Sequence, residues 1–141
     1  MKKVFLDTNI PIDTLEERRF SESSKAVVCK GKEGNFVMYV SLLSFVNIAY
    51  IRRKHSVDEI YNDLTYLRGL FSVVPIDAEQ LDTALSMRMK DFEDNIQLQC
   101  AKAAGCDVFV TNNTGDFVGL QGIDIMTSED FLLELCAEEL E

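Results

Sequence analysis

Short apolar runs alternate along this chain with longer segments in which apolar residues recur at helical spacing. An apolar run without alternating polar residues is typical of a strand buried on both faces of a parallel sheet. Helices between successive strands supply the crossover connections that parallel strands require. The alternation therefore predicts an α/β fold, a three-layer α/β/α sandwich with a central, mostly parallel sheet. The predicted strands are Val4–Leu6, Phe36–Val40, Phe71–Val74, Asp107–Thr111 and a short strand within Gly122–Met126.

Capping residues mark where several of the intervening helices begin. Ser56 and Glu59 form the pattern of a capping box, and Asp77 and Asp91 are expected N-caps. Ser128 is expected to cap the last helix. The predicted helices are Ser21–Lys32, Ser44–Lys54, Ser56–Leu70, Asp77–Lys90, Asp91–Gly105 and a final helix from Ser128.

The size and composition of the chain exclude several classes of protein. Its 141 residues suffice for one domain, 1–141, with a sizeable core. No apolar run approaches the roughly 20 residues of a membrane helix, and the N-terminus lacks the pattern of a signal peptide. The four cysteines form no CxxC pair and are expected to be buried free thiols, which indicates a cytoplasmic protein.

The net charge of −10 bears on possible partners of the chain. It argues against binding nucleic acid through overall charge. A local basic strip can still supply contacts to RNA, and the densest strip is Arg52, Arg53 and Lys54.

A carboxylate stands directly after the first predicted strand. Asp7 follows Val4–Leu6, and ligands of open α/β sheets bind just beyond the carboxyl ends of the strands. The alternative is that Asp7 or Asn9 only caps a short helix that starts near Ile10. The choice depends on whether other carboxylates reach the same edge of the sheet.

Two further segments bring acidic residues toward that edge. Asp91 and Asp94 are three residues apart and share one face of a helix that is apolar nearly all round. The segment Thr111–Phe117 contains Asp116 and follows a predicted strand. Stabilisation by the helix dipole and formation of a turn are the structural alternatives for the two segments.

Three motifs together resemble the PIN domain family, in particular the single-domain prokaryotic kind found as toxins of toxin–antitoxin pairs. Phe5-Leu6-Asp7-Thr8-Asn9 is similar to the first motif of that family. The predicted helix Asp91–Gly105 is similar to the central motif, because it begins with acidic residues and ends with Ala101, Ala103, Ala104 and Gly105. Val110–Phe117, a strand ending in Thr and followed by Asn and Asp-Phe, is close to the last motif. The motifs occur in the family's order and span nearly the whole chain.

The resemblance implies a metal-dependent endoribonuclease that hydrolyses RNA phosphodiesters with Mg²⁺ or Mn²⁺. Asp7, Asp94 and Asp116 match the acids that bind the metal and act in catalysis in the family. Oxygen ligands are what these ions prefer, and the ions orient a phosphate and stabilise its leaving oxygen. The residues that the resemblance assigns to support of the pocket are Thr8, Asn47, Asp91, Thr111 and Asn113.

The resemblance also implies partners. They are an RNA substrate, a small antitoxin protein and a second copy of the chain in a homodimer. A helix of the antitoxin is expected in an apolar groove beside the acidic pocket. The candidate groove residues are Ile48, Ile51, Leu64, Leu67 and Leu70.

One position departs from the pattern of the family. The family usually has a Glu on the helix after the second strand, and the matching residue here is Asn47. An Asn side chain offers a carbonyl oxygen but brings no charge and cannot act as a general base. Asp91 or Glu93 could compensate for the missing charge.

Two other functions remain open at this point. The first is a degenerate nuclease fold that binds RNA or a protein partner, which the neutral Asn47 would explain. The second is phosphoryl transfer through a phospho-aspartate at Asp7. Enzymes of that kind use the motif DxDxT. In this chain the second Asp of the motif is replaced by Asn9 and the Thr by Pro11.

Overall fold

Residues 1–117 and 122–140 are described by the computed structural model of the chain, without the side chain of Asp116. They contain a five-stranded sheet in which each strand is parallel to its neighbours. The predicted α/β sandwich with a parallel sheet is therefore confirmed. The strands are β1 (Lys3–Leu6), β2 (Val37–Ser41), β3 (Ser72–Val74), β4 (Val108–Val110) and β5 (Asp124–Met126), in the spatial order β3-β2-β1-β4-β5.

Helices connect the strands and cover both faces of the sheet. The predicted caps at Ser56, Asp77 and Asp91 are confirmed, because each side chain accepts a hydrogen bond from a backbone N–H in the first turn of its helix. The helices are α1 (Asn9–Asp13), α2 (Ser21–Lys32), α3 (Leu42–Ile51), α4 (Val57–Leu70), α5 (Ala78–Met87), α6 (Phe92–Ala103) and α7 (Ser128–Glu139), and Thr114–Phe117 forms a 3₁₀ turn.

The cap of the last helix differs from the prediction. Thr127, not Ser128, occupies the N-cap position, and its hydroxyl accepts a hydrogen bond from the N–H of Asp130 at 3.1 Å. Ser128 is the first helical residue, and its N–H and hydroxyl both donate to Oδ1 of Asn112, at 3.0 and 2.8 Å. Asn112 thereby connects the loop after β4 to the start of α7.

The boundaries of α3 and α5 also differ from the prediction, and α3 ends at Ile51, three residues before the predicted end at Lys54. Helix α3 begins at Leu42 because the hydroxyl of Ser41, the last residue of β2, caps it and accepts the N–H of Ser44 at 3.3 Å. Helix α5 ends at Met87, three residues before the predicted end at Lys90. Arg88 follows it in the left-handed region, with a φ of 55°, which the helix cannot continue through.

The side chains of the central strand alternate between two cores. Val4 and Leu6 pack on one face against residues of α1–α4 and α7. Phe5 points to the other face, which α5 and α6 cover, and its ring stacks on Phe109 with 5.3 Å between centroids. Val4, Phe5 and Leu6 are all fully buried, as the unbroken apolar run predicts for a strand covered on both faces.

The strand order places the end of β1 in the middle of the carboxyl edge of the sheet. The N–H of Asp7 donates to the carbonyl of Val110 at 3.0 Å, so the loop after β1 starts beside the loop after β4. Helix α3 starts directly after β2, the neighbour on the other side. The residues that follow these three strands therefore share one edge.

No helix within residues 1–117 and 122–140 is long and apolar enough to cross a membrane. All four cysteines are free thiols. Cys100 and Cys106 are buried, as predicted, and burial raises the pKa of each thiol to about 11. The prediction of burial is wrong for Cys29 and Cys136, which are exposed because they lie on the outward sides of α2 and α7.

Candidate active site

Asp7 is a buried carboxylate at the carboxyl end of the central strand. Only 3% of the residue is exposed. Its Oδ1 accepts the N–H of Thr8 at 2.8 Å, and its Oδ2 accepts the hydroxyl of Thr111 at 2.9 Å. Thr8, and not Asp7 or Asn9, occupies the N-cap position of α1, and the side chain of Thr8 makes no capping hydrogen bond. The capping alternative therefore does not explain why Asp7 stands at this position.

Burial raises the pKa of Asp7 from 3.8 to about 6. The hydrogen bonds from Thr111 and Thr8 oppose this shift, whereas the negative charges of Glu93 and Asp91 add to it. A carboxylate that is buried among other carboxylates favours its neutral form unless a cation is nearby. The electrostatics of Asp7 therefore favour the approach of a positive charge.

The first turn of α6 brings three carboxylates together. Oxygen atoms of Asp91, Glu93 and Asp94 all lie within 4.8 Å of one another. Asp94 is buried, whereas Asp91 and Glu93 are exposed. Asp91 is also the N-cap of α6, since its Oδ1 accepts the N–H of Asp94 at 2.9 Å. The structural and the functional interpretation of Asp91 are thus compatible, because one of its oxygens serves the cap.

A small cavity of about 230 Å³ lies between the end of β1 and the start of α6. Asp7 lines it from the sheet, and Glu93 and Asp94 line it from α6. No lysine or arginine is among the lining residues that the structure describes. Among the described residues, the lining is Asp7, Thr8, Asn9, Asn47, Tyr50, Ile51, Glu93 and Asp94.

A buried network of neutral hydrogen bonds lies below the cavity. The side-chain amide of Gln97 donates to the hydroxyl of Thr8 at 2.9 Å and to that of Ser44 at 3.1 Å. The same amide accepts the hydroxyl of Ser41 at 2.6 Å through its oxygen. The hydroxyls of Thr8 and Ser44 are 2.8 Å apart and share a further bond. The network joins α6, β2, α3 and the end of β1, so the cavity has a rigid floor.

Sequence reasoning missed most of this network. The sequence predicts no role for Gln97, Ser41 or Ser44, although the segment Ser41–Asn47 follows the second predicted strand and so reaches the same edge. A signal was also present for Gln97, which lies one turn beyond Glu93 on the same side of the helix. A buried amide needs partners, and the hydroxyls on β2 and α3 supply them.

Asn47 lies on α3 and lines the cavity as the sequence predicts. Its Nδ2 donates to Oε1 of Glu93 at 2.9 Å. The neutral side chain on α3 therefore faces a charged one on α6.

The predicted supporting residues after β4 occupy the same edge. Thr111 is buried. Its hydroxyl donates to Asp7 and accepts a hydrogen bond from the N–H of Asn113 at 3.1 Å. The backbone of Asp116 belongs to the 3₁₀ turn, and its side chain lies outside the part of the chain that the structure describes.

The basic strip at the end of α3 divides into two kinds of residue. Arg52 is buried, with ion pairs of 2.7 Å to Glu16 and 2.8 Å to Asp63, so an RNA contact would require breaking both. Arg53 is exposed and lies 4.2 Å over the ring of Tyr50, which lines the cavity. Lys54 is exposed.

The donor set fits a divalent cation of the Mg²⁺ or Mn²⁺ type. The ionisable ligand candidates around the cavity are all carboxylates, and hard cations prefer oxygen ligands. Burial, together with the charges of Glu93 and Asp91, raises the pKa of Asp7, so a cation bound nearby would stabilise its charged form. Asp7 and Asp94, with Glu93 beside them, can hold such an ion.

The model of the PIN domain family matches residues 3–115 of the chain. The chain therefore belongs to the PIN domain family, as its three motifs predict. It is similar to ribonuclease VapC1 of Aquifex aeolicus (strain VF5), with 23% identity over 136 residues, 92% of this chain and 93% of that protein.

Solved structures share the fold. One is VapBC2 from Rickettsia felis bound to a DNA fragment from its promoter, with a TM-score of 0.69 and 15% identity, covering 87% of this chain and 96% of that chain. Another is a toxin–antitoxin complex from Klebsiella pneumoniae, with a TM-score of 0.65 and 21% identity, covering 89% and 97% of the two chains.

Proposed function

We propose that the chain is a metal-dependent endoribonuclease of the toxin type, which hydrolyses RNA phosphodiesters in the cytoplasm. The observation that carries the proposal is the buried Asp7, which faces Asp94 and Glu93 across a cavity without cationic lining in the described residues. Membership of the PIN domain family and the similarity to a ribonuclease support it.

Asp7, Asp94 and Asp116 would hold the divalent cation, Mg²⁺ or Mn²⁺. Such a cation, when bound, lowers the pKa of water and stabilises charge that develops on the phosphate. Thr8 and Thr111 hold both oxygens of Asp7 in place, and the Gln97 amide in turn holds Thr8. The acid at the sheet edge is thus oriented before substrate arrives, which reduces the cost of reorganisation.

The RNA would approach along the end of α3. Arg53 and Lys54 are the exposed cations there, and both can contact phosphates. Tyr50 offers an exposed ring at the rim of the cavity, which suits stacking with a base. Arg52 contributes by holding this end of α3 to α4 through Asp63.

A module that binds without cleaving is the second candidate. The observation that favours it is the neutral Asn47, which lines the cavity where family members usually carry a Glu. Such a module would bind Mn²⁺ poorly and leave RNA intact.

Cleavage of a fluorescent single-stranded RNA with Mg²⁺ or Mn²⁺ tests the proposal. We expect cleavage that disappears in EDTA, and Asp7→Asn should lower turnover by about 100-fold or more, because a metal site supplies several kcal/mol of stabilisation. Asp82→Asn, which removes an exposed carboxylate from α5, is the matched control and should cleave like the wild type. Cleavage that persists in chelator would contradict the metal mechanism, and intact RNA under all conditions would favour the binding module.

We further propose that a helix of a small antitoxin protein occupies an apolar groove between α3 and α4. The groove encloses about 390 Å³ and carries one cationic side chain, Arg68, among its lining residues. Ile48 and Leu67, which were expected to line such a groove, instead lie in the core and are 2% and 1% exposed. The lining is Leu42, Phe45, Tyr61, Leu64, Thr65, Arg68 and Val73.

The similar protein from Klebsiella pneumoniae is described as a toxin–antitoxin complex, which supports a protein partner for this chain. An amphipathic helix with apolar residues on one face is the usual occupant of a groove between helices. A second copy of the chain, in a homodimer, is the other candidate for this surface.

A further inference from the structure

The cavity has a neutral side chain on α3, Asn47, and a charged side chain on α6, Glu93, opposite to it. Asn47 brings no charge to the site, whereas Glu93 lines the same cavity from α6. The two side chains are in contact, since Nδ2 of Asn47 lies 2.9 Å from Oε1 of Glu93. A carboxylate is therefore present close to the position of the Asn47 side chain, although a different helix supplies it.

The contacts of Glu93 fall on one of its two oxygens. Oε1 accepts the amide of Asn47 at 2.9 Å, the hydroxyl of Thr8 at 3.4 Å and the amide of Gln97 at 3.5 Å. Within residues 1–117 and 122–140, Oε2 has no hydrogen-bond or ion-pair partner. Neutral donors thus orient the carboxylate without neutralising it, which leaves one oxygen available to a cation.

Glu93 also acts electrostatically on the acid at the sheet edge. The charge of Glu93 raises the pKa of Asp7, and it does so more than the charge of Asp91 does. An oxygen of Glu93 lies within 4.8 Å of oxygens of Asp91 and Asp94. Glu93 therefore belongs to the same cluster of negative charge as Asp94, and its charge also acts on Asp7.

We propose that Glu93 supplies the metal site with the carboxylate that α3 lacks, and that Asn47 is a positioning residue that holds Glu93 in place. This inference rests on the proposed function and assigns a ligand within it. The competing explanation is structural. Glu93 lies in the first turn of α6, where a negative charge is favourable to the helix dipole without any ion.

Titration with Mn²⁺ by isothermal calorimetry separates the two explanations. We expect Glu93→Gln to bind Mn²⁺ about tenfold or more weakly than the wild type, because affinity for hard cations depends on the number of charged ligands. The double variant Asn47→Glu with Glu93→Gln returns the charge to α3 and leaves a neutral donor on α6. It should regain most of the lost affinity.

Glu129→Gln is the matched control for the helix dipole. Glu129 is exposed and occupies the same position in the first turn of α7 as Glu93 does in α6, directly after the first helical residue. It should bind Mn²⁺ like the wild type. Equal affinity of Glu93→Gln and the wild type would overturn the assignment of Glu93.

A double-mutant cycle between Asn47 and Glu93 tests the role of Asn47. Asn47→Ala should weaken Mn²⁺ binding in the wild-type background and have no further effect in Glu93→Gln, since it acts through Glu93. Equal effects in both backgrounds would show that Asn47 does not act through Glu93. This cycle needs no rescue variant, so it remains decisive if the double variant with Asn47→Glu does not fold.

Asp7→Asn distinguishes failure of the inference from failure of the proposed function. If the wild type binds Mn²⁺ and Asp7→Asn does not, the metal site stands, and the Glu93 variants then decide the inference alone. If the wild type binds no Mn²⁺, both proposals are wrong.

Discussion

At the scale of single residues, Asp7 combines burial with proximity to like charges. It is 3% exposed, and neither a lysine nor an arginine is among the described residues that line the cavity beside it. Its two hydrogen bonds lower its pKa only in part, so the value remains at about 6. The folded protein without metal therefore holds a proton on Asp7 more tightly than the unfolded chain does.

The stability of the metal-free protein should report this shift. Because the folded pKa of Asp7 is about 6 and the ordinary value is 3.8, its contribution is fully present below pH 3.8 and is lost as the pH rises through 6. The loss amounts to about 3 kcal/mol in all. In EDTA, Asp7→Asn should therefore become progressively more stable relative to the wild type between about pH 4 and pH 7.

Urea unfolding at several pH values measures this difference. Asp82→Asn is the control, because an exposed carboxylate should give a nearly constant difference. A difference between Asp7→Asn and the wild type that does not change with pH would contradict the raised pKa. A change in hydrogen bonding to Thr8 and Thr111 would alter the free energy of unfolding by the same amount at every pH.

At the scale of elements, two helical glycines have opposite surroundings. Gly31 lies near the end of α2, and a Cβ built on it would be 2.4 Å from Sδ of Met38 on β2. Gly69 lies near the end of α4, and a Cβ there would have no atom within 4 Å. A Cβ at the first glycine would displace the side chain of Met38, whereas a Cβ at the second would enter open space.

Substitution of each glycine by alanine should therefore change stability in opposite directions. Gly69→Ala should raise the free energy of unfolding by about 0.5–1 kcal/mol, because alanine is the better helix former. Gly31→Ala should lower it by about 1–3 kcal/mol, because the buried Met38 must move within a packed core. Thermal unfolding monitored by circular dichroism measures both, and a stabilised Gly31→Ala would show that Met38 can move without cost.

At the scale of the whole molecule, the two proposed binding surfaces are chemically different. The cavity at the carboxyl edge of the sheet is lined by carboxylates and small polar residues. The groove between α3 and α4 is mainly apolar, and α4 also carries exposed tyrosines. Helix α3 contributes to both, because Asn47 and Tyr50 line the cavity whereas Leu42 and Phe45 line the groove. A partner that binds the groove would thus contact the same helix as the substrate.

Two tyrosines of α4 test whether the groove binds a partner. Tyr61 lines the groove and is 66% exposed, whereas Tyr66 is 52% exposed and is not among its lining residues. Tyr61→Asp should weaken binding of the proposed small antitoxin protein by about tenfold or more, because a charge would replace an aromatic contact. Tyr66→Asp should leave binding unchanged.

Sedimentation of the chain alone completes this test. If Tyr61→Asp converts a dimer to a monomer and leaves binding of the small protein unchanged, a second copy of the chain occupies the groove. Equal effects of the two tyrosine variants would contradict a specific role of the groove.

The local sequence determined the fold and the place of Asp7 at the edge of the sheet. Val4–Leu6 predicts a strand buried on both faces because three adjacent apolar side chains point alternately to two cores. Asp77 and Asp91 predict helix starts because each cap bonds a backbone N–H only two or three residues further along the chain. The position of Asp7 at the sheet edge also follows, since ligand sites of parallel sheets lie beyond the carboxyl ends of the strands.

Only the tertiary structure decided which polar side chains meet. The contact between Asn47 and Glu93 joins residues 46 positions apart, and Gln97 meets Thr8 across 89 positions. The sequence predicts Arg52 to be part of a surface strip, yet its ion pairs with Glu16 and Asp63 hold it in a buried site. Periodicity and capping depend on neighbours within a few residues, so they specify elements. Pairing of polar groups depends on how those elements pack, because a buried donor takes whichever acceptor the packing brings within 3 Å or so.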